Sequence, residues 1–84
     1  MISKKTISEI YCTFSSELFG YLMKMTGNVE QSEDLLQETF VRFIDYAVAH
    51  EIDEGTVRPF LYRTAHNLSV NFYVRQSRRK QADL

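Results

Sequence analysis

The stretch from Thr56 to Arg75, TVRPFLYRTAHNLSVNFYVR, decides the fold class of this chain. Its apolar residues recur at steps of three and four, which is typical of a helix with one buried face. Thr56 is the predicted cap, and Pro59 fits the first turn, where its missing amide hydrogen costs nothing. The buried face comprises Val57, Leu61, Ala65, Leu68 and Phe72. The stretch therefore predicts a long helix that extends at least to Arg75.

A second helical pattern lies upstream, between Asn28 and about Val48. Asn28 is a favourable N-cap, and Gln31 stands three residues later, where its side chain can reach back. The predicted apolar face comprises Val29, Leu36, Phe40, Phe43 and Ala47, with the small Ser32 among them.

The first helical pattern along the chain runs from about Thr6 to Met25. Thr6 and Glu9 have the spacing of a capping box, and Gly27 most easily adopts the left-handed conformation that ends a helix. The predicted buried stripe comprises Ile7, Tyr11, Phe14, Leu18, Tyr21 and Met25.

The three patterns predict an all-α fold: a small bundle of three main helices with a polar loop before the last helix. The loop is the glycine-containing segment from His50 to Thr56, and loops of this kind can present binding residues. A length of 84 residues allows one domain, so residues 1–84 are the predicted unit, frayed from Gln81 to Leu84.

Composition argues against several classes of function. A chain of 84 residues buries only about 60 to 65% of its unfolded surface, which leaves little room for a catalytic cavity. Cys12 is the single cysteine, and with two isolated histidines it offers neither a disulfide framework nor a set of zinc ligands. The titratable residues have no convincing catalytic spacing. We therefore predict a binding protein without enzyme activity, metal or cofactor.

The cellular location is predicted from the hydropathy of the chain and from its N-terminal residues. No apolar run approaches the roughly 18 to 20 residues that cross a bilayer, and Met1 to Lys5 does not begin a signal peptide. We expect a cytoplasmic protein without a membrane partner.

Charge is distributed unevenly, although the net charge is only −1. Residues 1–54 carry four basic and ten acidic side chains (net −6), whereas residues 55–84 carry six basic and one acidic (net +5). This asymmetry indicates two surfaces with different partners, the basic one being a candidate for phosphate. The alternative is that the opposite charges pair within the fold.

The acidic surface is an arc of the second helix. At 100° per residue, the arc comprises Glu30, Asp34, Gln37, Glu38, Val41 and Asp45. A solvated helix face and a protein-binding face both fit this pattern.

The basic surface is a track along the last helix, within about 80° of arc. The track comprises Phe60, Arg63, Asn67, Asn71, Val74 and Arg78. Arginine can bind phosphate, asparagine can bind base edges, and an aromatic ring can stack on an unpaired base. The cluster Arg78, Arg79 and Lys80 would add a salt-dependent term to such binding.

Structural interpretations of the same residues stay open. Phe60 can be a core residue, Asn67 can bond a neighbouring loop, and a basic C-terminus complements the helix dipole. His50 and His66 are predicted to be ordinary surface or partly packed histidines.

Two runs carry a family resemblance: EDLLQETF at residues 33–40, and PFLYRTAHNL at residues 59–68, followed by a basic tail. In this order and spacing they resemble the second conserved region of bacterial sigma factors of the extracytoplasmic-function group. The likeness covers the chain from about Phe14 to Lys80. It does not extend to the family's second DNA-binding domain, which reads the minus-thirty-five element.

The resemblance implies three partners. The second helix would dock on the clamp helices of the RNA polymerase beta-prime subunit through Asp34, Gln37 and Glu38, with Val41 on the same face. The loop and the last helix would bind minus-ten promoter DNA, with one base flipped out of the non-template strand. An anti-sigma factor would be a regulatory partner.

The residues to which we assign DNA binding lie in the loop and the last helix. They are Glu51, Ile52, Asp53, Arg58, Phe60, Arg63, Asn67, Asn71, Arg75, Arg78, Arg79 and Lys80. Three of them depart from the family pattern, which usually has Trp at Phe60, an aromatic residue at Ile52 and Asp at Asn71. The departures bear on base preference more than on the fold.

Two functions of different classes are therefore predicted. The first is a sigma factor domain that binds polymerase and opens and reads the minus-ten element in transcription initiation. The alternative is a helical protein-interaction module, held by an anti-sigma-type partner, that does not bind DNA on its own. Affinity for single-stranded promoter DNA separates the two.

Overall fold

The computed structural model describes the backbone of residues 4–51 and 53–82 and the side chains of residues 6–51 and 53–78. These residues form three helices: α1 (Lys4–Thr26), α2 (Val29–Ala49) and α3 (Glu54–Ala82). Each helix packs against both of the others. The predicted all-α bundle of three main helices is confirmed.

The hydrophobic core lies where the middles of the three helices meet. Its buried residues are Leu18, Leu22, Leu36, Phe40, Phe43, Val57, Leu61 and Ala65. Burying one large apolar side chain stabilises a fold by roughly 1.5–3 kcal/mol. This core therefore fixes how α2 and α3 lie beside each other.

Helix α1 differs from the prediction at its start and along its buried face. It begins at Lys4, so Thr6 lies inside the helix and the predicted cap at Thr6 is wrong. Lysine has a higher helix propensity than threonine, which favours the earlier start. Leu22 is fully buried, whereas Tyr11 is 45% exposed. Tyr11 lies at the edge of the interface, with its ring centroid 4.8 Å from that of Phe40.

The turn between α1 and α2 has the predicted end signals. Gly27 has a φ of +66°, and its N–H donates to the Met23 carbonyl at 2.8 Å. Asn28 Oδ1 accepts a hydrogen bond from the Gln31 N–H at 2.9 Å, so the predicted N-cap is confirmed. Val29 was expected on the apolar face, but it is 53% exposed at the first position of α2.

The loop before α3 is shorter than predicted. Helix α3 begins at Glu54, and the Thr56 N–H and hydroxyl both donate to the Asp53 carbonyl, at 2.9 and 2.7 Å. These bonds place Thr56 in the first turn, so the predicted cap at Thr56 is wrong. Pro59 consequently lies in the second turn, where the Gly55 carbonyl lacks its usual helical amide partner.

The last described turns of α3 are more exposed than the middle of the helix. Every side chain from residue 73 to residue 78 is exposed. Among the described helices, none has an apolar stretch long enough to span a bilayer.

Candidate nucleic-acid interface

An open groove lies between the end of α2 and the middle of α3, and we call it the α2–α3 groove. Its volume is about 450 Å³. The α2 wall and its cap comprise Arg42, Asp45, Tyr46, Ala49 and His50, and the α3 wall comprises Phe60, Thr64, Asn67, Leu68 and Asn71. The groove therefore combines rings, amides and charged groups.

A second cavity, the loop cavity, adjoins the groove where the loop enters α3. Its volume is about 340 Å³, and its lining comprises Tyr46, Glu51, Asp53, Gly55, Thr56, Pro59, Phe60 and Arg63. Tyr46 and Phe60 line both cavities, so their rings form a shared wall. Six predicted DNA-binding residues therefore meet on one surface: Glu51, Asp53, Phe60, Arg63, Asn67 and Asn71.

Three rings follow one another along this shared wall, and we call Phe60, Tyr46 and His50 the ring stack. Phe60 packs edge-on against the buried Phe43, with 5.8 Å between the ring centroids. Tyr46 lies 4.7 Å from Phe60, and His50 lies 4.2 Å from Tyr46 with the two planes only 12° apart. Phe60 thus packs against the core, as one of its two interpretations predicted, and it also lines both cavities.

The predicted binding residues in the middle of α3 are accessible. Arg63, Asn67 and Asn71 are all exposed. Arg63 forms no ion pair with any carboxylate of residues 6–51 and 53–78. An unpaired guanidinium beside an open cavity can neutralise a phosphate.

Among the described residues, Arg75 and Arg78 are not brought into this surface. Ile52 lies outside the described residues, as do the side chains of Arg79 and Lys80. Arg75 and Arg78 line a separate cavity of about 480 Å³, together with Gln31, Phe72 and Gln76.

The opposite side of α3 is closed against α1 by a set of polar contacts. Glu17 accepts hydrogen bonds from Arg58, with Nη2–Oε2 at 2.9 Å and Nη1–Oε1 at 3.1 Å. The Tyr62 hydroxyl donates to Glu17 Oε2 at 2.6 Å. The Tyr21 hydroxyl and His66 Nδ1 share a hydrogen bond of 2.9 Å. We call these five residues the α1–α3 seam.

The seam has a clear electrostatic character. Burial, and then the adjacent Glu17 carboxylate, raise the pKa of the Tyr62 hydroxyl above its ordinary value of 10.0. The Arg58 guanidinium carbon also lies 5.2 Å from the centroid of the Tyr62 ring. Pairing of opposite charges therefore accounts for Arg58, but it does not account for Arg63.

The acidic arc of α2 faces solvent. Asp34, Gln37, Glu38 and Val41 are exposed, and Val41 is 51% accessible. Glu38 Oε1 accepts a hydrogen bond from Arg42 Nε at 3.1 Å one turn later. Exposed helical pairs of this kind contribute only about 0.3–0.5 kcal/mol. The arc is therefore an acidic surface with an apolar residue, open to a partner.

The sequence patterns indicated only part of the α2–α3 groove. They indicated no role for Tyr46, Thr64 or Arg42, and they predicted only an ordinary surface or partly packed histidine at His50. Tyr46 and His50 are four residues apart at a helix end, and this spacing was the available signal. The contact between Tyr46 and Phe60 depends on how α2 packs against α3, which no local pattern gives.

The polar side chains of the described residues include neither a metal site nor an unpaired buried group. Among these residues, no group of three or more His, Cys, Asp or Glu side chains could hold a metal ion. Each of their buried side-chain nitrogens or oxygens has a hydrogen-bond partner. Cys12 is exposed and free.

Known proteins resemble this chain over most of its length. Residues 10–79 match the family model described as Sigma-70 region 2. The chain is 37% identical over 75 residues to the ECF RNA polymerase sigma factor SigM of Bacillus subtilis (strain 168), covering 89% of this chain and 44% of that protein. It is 31% identical over 75 residues to the RNA polymerase sigma factor YlaC of the same organism, covering 89% and 43%. The chain thus spans less than half the length of these two relatives, and no solved structure matches it significantly.

Proposed function

The chain belongs to the sigma-70 region 2 family, and we propose that it is the polymerase-binding and promoter-opening domain of a sigma factor in transcription initiation. In this proposal α2 binds the clamp helices of the RNA polymerase beta-prime subunit. The α2–α3 groove and the loop cavity bind the unpaired non-template strand of the minus-ten element. The domain acts in the cytoplasm by binding, without catalysing a reaction.

The exposure of Arg63 and Asn67 beside two adjoining cavities is the observation that carries this proposal. Phosphate contacts supply affinity for any sequence, and base contacts supply specificity. Arg63 fits the first role because no described carboxylate neutralises it. Asn67 and Asn71 fit the second role because their amides can pair with base edges.

Glu51 and Asp53 fit a different role in the loop cavity. Their carboxylates repel phosphates, but a carboxylate can accept a hydrogen bond from the exocyclic amino group of a base. Both residues line the same cavity as Arg63. We infer that they contact the edge of a flipped base, whose extrusion costs a few kcal/mol of stacking. We propose that Ile52, which lies between them in the sequence, also contacts the flipped base.

Basic residues outside the two cavities would add contacts to the DNA backbone. Arg75 and Arg78, and with them Arg79 and Lys80, would contact the DNA backbone farther along α3. Arg58 would contact phosphate only after leaving Glu17, which holds it in the α1–α3 seam.

Titration of the chain with single-stranded non-template oligonucleotides tests DNA recognition. We expect a minus-ten-like sequence to bind more tightly than scrambled sequences by fluorescence anisotropy. Asn67→Ala should weaken that binding about fivefold or more, because an asparagine–base contact contributes roughly 1–3 kcal/mol. Val70→Ala, an exposed position that lines neither cavity, is the control. Equal affinity for every sequence, unchanged by Asn67→Ala, would contradict base reading.

Charge reversal on the acidic arc tests polymerase binding separately. Asp34→Lys or Glu38→Lys should weaken binding to core polymerase, because each places a like charge against a cationic partner surface. Both variants should bind the oligonucleotide as the unmodified chain does. Loss of DNA affinity in either variant would show that the two surfaces are not separate.

The exposed Val41 within the acidic arc supports the second candidate function, a protein-interaction module held by an anti-sigma-type partner. This function and promoter binding are compatible in the cell. The two functions predict different results for the isolated chain. Only promoter binding predicts affinity for the minus-ten oligonucleotide.

A further inference from the structure

We propose that His50 is the outer ring of a base-stacking platform, so that an unpaired base of the bound strand stacks on the imidazole at the end of α2. The inference rests on the proposed function and deepens it. The residue pattern of α3 alone indicated Phe60 as the ring on which a base stacks. We place that base on His50 instead, at the outer end of the ring stack.

Phe60 has other rings packed against it. Its ring contacts Phe43 in the core at 5.8 Å and Tyr46 at 4.7 Å, so it lies inside the stack. Tyr46 lies in turn between Phe60 and His50. His50 is exposed, and Tyr46 is the only ring of residues 6–51 and 53–78 that it contacts. The ring with a face left for a base is therefore His50.

The imidazole is held in place before any ligand arrives. His50 is the C-cap of α2, and its backbone N–H donates to the Tyr46 carbonyl at 3.0 Å. His50 Nδ1 lies 3.2 Å from the same carbonyl, and because a carbonyl only accepts, Nδ1 is the donor. The parallel contact with the Tyr46 ring fixes the plane. A ring ordered in this way loses little side-chain entropy when a base stacks on it.

The surroundings of His50 suit a nucleobase. The opposite wall of the α2–α3 groove carries Asn67 and Asn71, whose amides can bond the edge of a base that lies on the ring. Arg42 lines the same groove and can approach a phosphate, although it also bonds Glu38 at 3.1 Å. Stacking surface, edge contacts and a cation are thus present in one groove.

The test compares the two histidines of the chain by fluorescence anisotropy. The probe is a single-stranded non-template oligonucleotide with a minus-ten-like element, used intact and with an abasic site at each position in turn. We expect His50→Ala to weaken binding of the intact oligonucleotide at least about fivefold. His66→Ala, which alters an exposed histidine of the α1–α3 seam, should change it less than about twofold. At one position, the abasic site should weaken binding to the unmodified chain but not to His50→Ala.

Two further variants separate stacking from hydrogen bonding. His50→Phe keeps a ring and should bind at least as tightly as the unmodified chain, whereas His50→Gln keeps a polar group and should bind as weakly as His50→Ala. Circular dichroism checks that each variant is folded. Equal binding by His50→Ala and the unmodified chain, or abasic losses that add to the His50→Ala loss at every position, would overturn the inference alone. Failure of the unmodified chain to bind the intact oligonucleotide would overturn the proposed function as well.

Discussion

Each side of α3 carries an arginine and an aromatic residue, but only one of these two arginines is paired with a described carboxylate. On the α1–α3 seam, Arg58 is paired with Glu17 at 2.9 Å, and Tyr62 donates to the same carboxylate. Across the helix, Arg63 lines the loop cavity without a carboxylate partner among the described residues, and Phe60 leads into the ring stack. Because the Glu17 side chain is only 35% exposed, its pair with Arg58 stabilises the bundle, whereas the unpaired Arg63 beside a cavity is available to a ligand. We therefore propose that the seam stabilises the fold and that the groove side binds DNA.

The largest effect is expected from the aromatic residues at positions 60 and 62. Phe60→Ala removes a half-buried ring that contacts Phe43 and Tyr46, so we expect the free energy of unfolding in urea to fall by about 2–4 kcal/mol. Tyr62→Ala should also destabilise the fold. Below the unfolding transition, only Phe60→Ala should lose DNA affinity. Equal loss of DNA affinity in both variants would remove the distinction between the two sides.

The arginines at positions 58 and 63 give the next largest contrast. Arg63→Ala should weaken oligonucleotide binding by about 1.5 kcal/mol, because a hydrogen bond to a charged group contributes roughly 1.5–3 kcal/mol. The slope of log K against log salt concentration should fall by about 0.7, as expected for one phosphate contact to a single strand. Arg58→Ala should change both quantities less, because Glu17 already binds its guanidinium. An equal change in the salt slope for both variants would contradict this order.

A smaller effect is expected from Glu17, the acceptor that joins the seam. Glu17→Gln removes the charge paired with Arg58 and should lower the free energy of unfolding by about 0.5–1 kcal/mol. DNA affinity should stay within about twofold of the unmodified chain, because the seam lies across α3 from the groove. A rise in affinity would show that the released Arg58 reaches DNA. A fall would contradict the assignment of the seam to stability.

The smallest effect concerns pH and the Tyr62 hydroxyl. Its pKa is raised above 10.0 in the folded chain, so the neutral form that donates to Glu17 is favoured by folding. The stability gained is complete below pH 10.0 and is lost as the pH rises through the higher folded-state pKa. The difference in unfolding free energy between the unmodified chain and Tyr62→Phe should therefore shrink above pH 10.0. A difference that stays constant with pH would contradict the bond to Glu17.

Local signals made the helices predictable. Gly27 and Asn28 end one helix and start the next through bonds within a few residues, so their roles could be predicted from the sequence. On the predicted buried face of α1 only Tyr11 was wrong, because tyrosine counts as apolar although this ring lies at the edge of the interface. Threonine is a residue type that favours the N-cap position. The Thr56 N–H and hydroxyl, however, both donate to the Asp53 carbonyl, which places Thr56 in the first turn of α3.

Only the part of the candidate site that lies on a single helix could be predicted from the sequence. Asn67 and Arg63 share a track on α3, and the helical period alone indicates this. The ion pair between Glu17 and Arg58 joins residues 41 positions apart, and the contact of Tyr46 with Phe60 joins two helices. Such contacts depend on tertiary packing, so no local pattern predicts them.

The most direct test of DNA binding on the groove side is an amide chemical-shift map of the chain with a minus-ten non-template oligonucleotide. We predict perturbed amides from His50 to Asn71 and in the last turns of α2, with little change in α1. Perturbations centred on α1, or none at saturating oligonucleotide, would contradict the assignment of the α2–α3 groove and the loop cavity to an unpaired DNA strand.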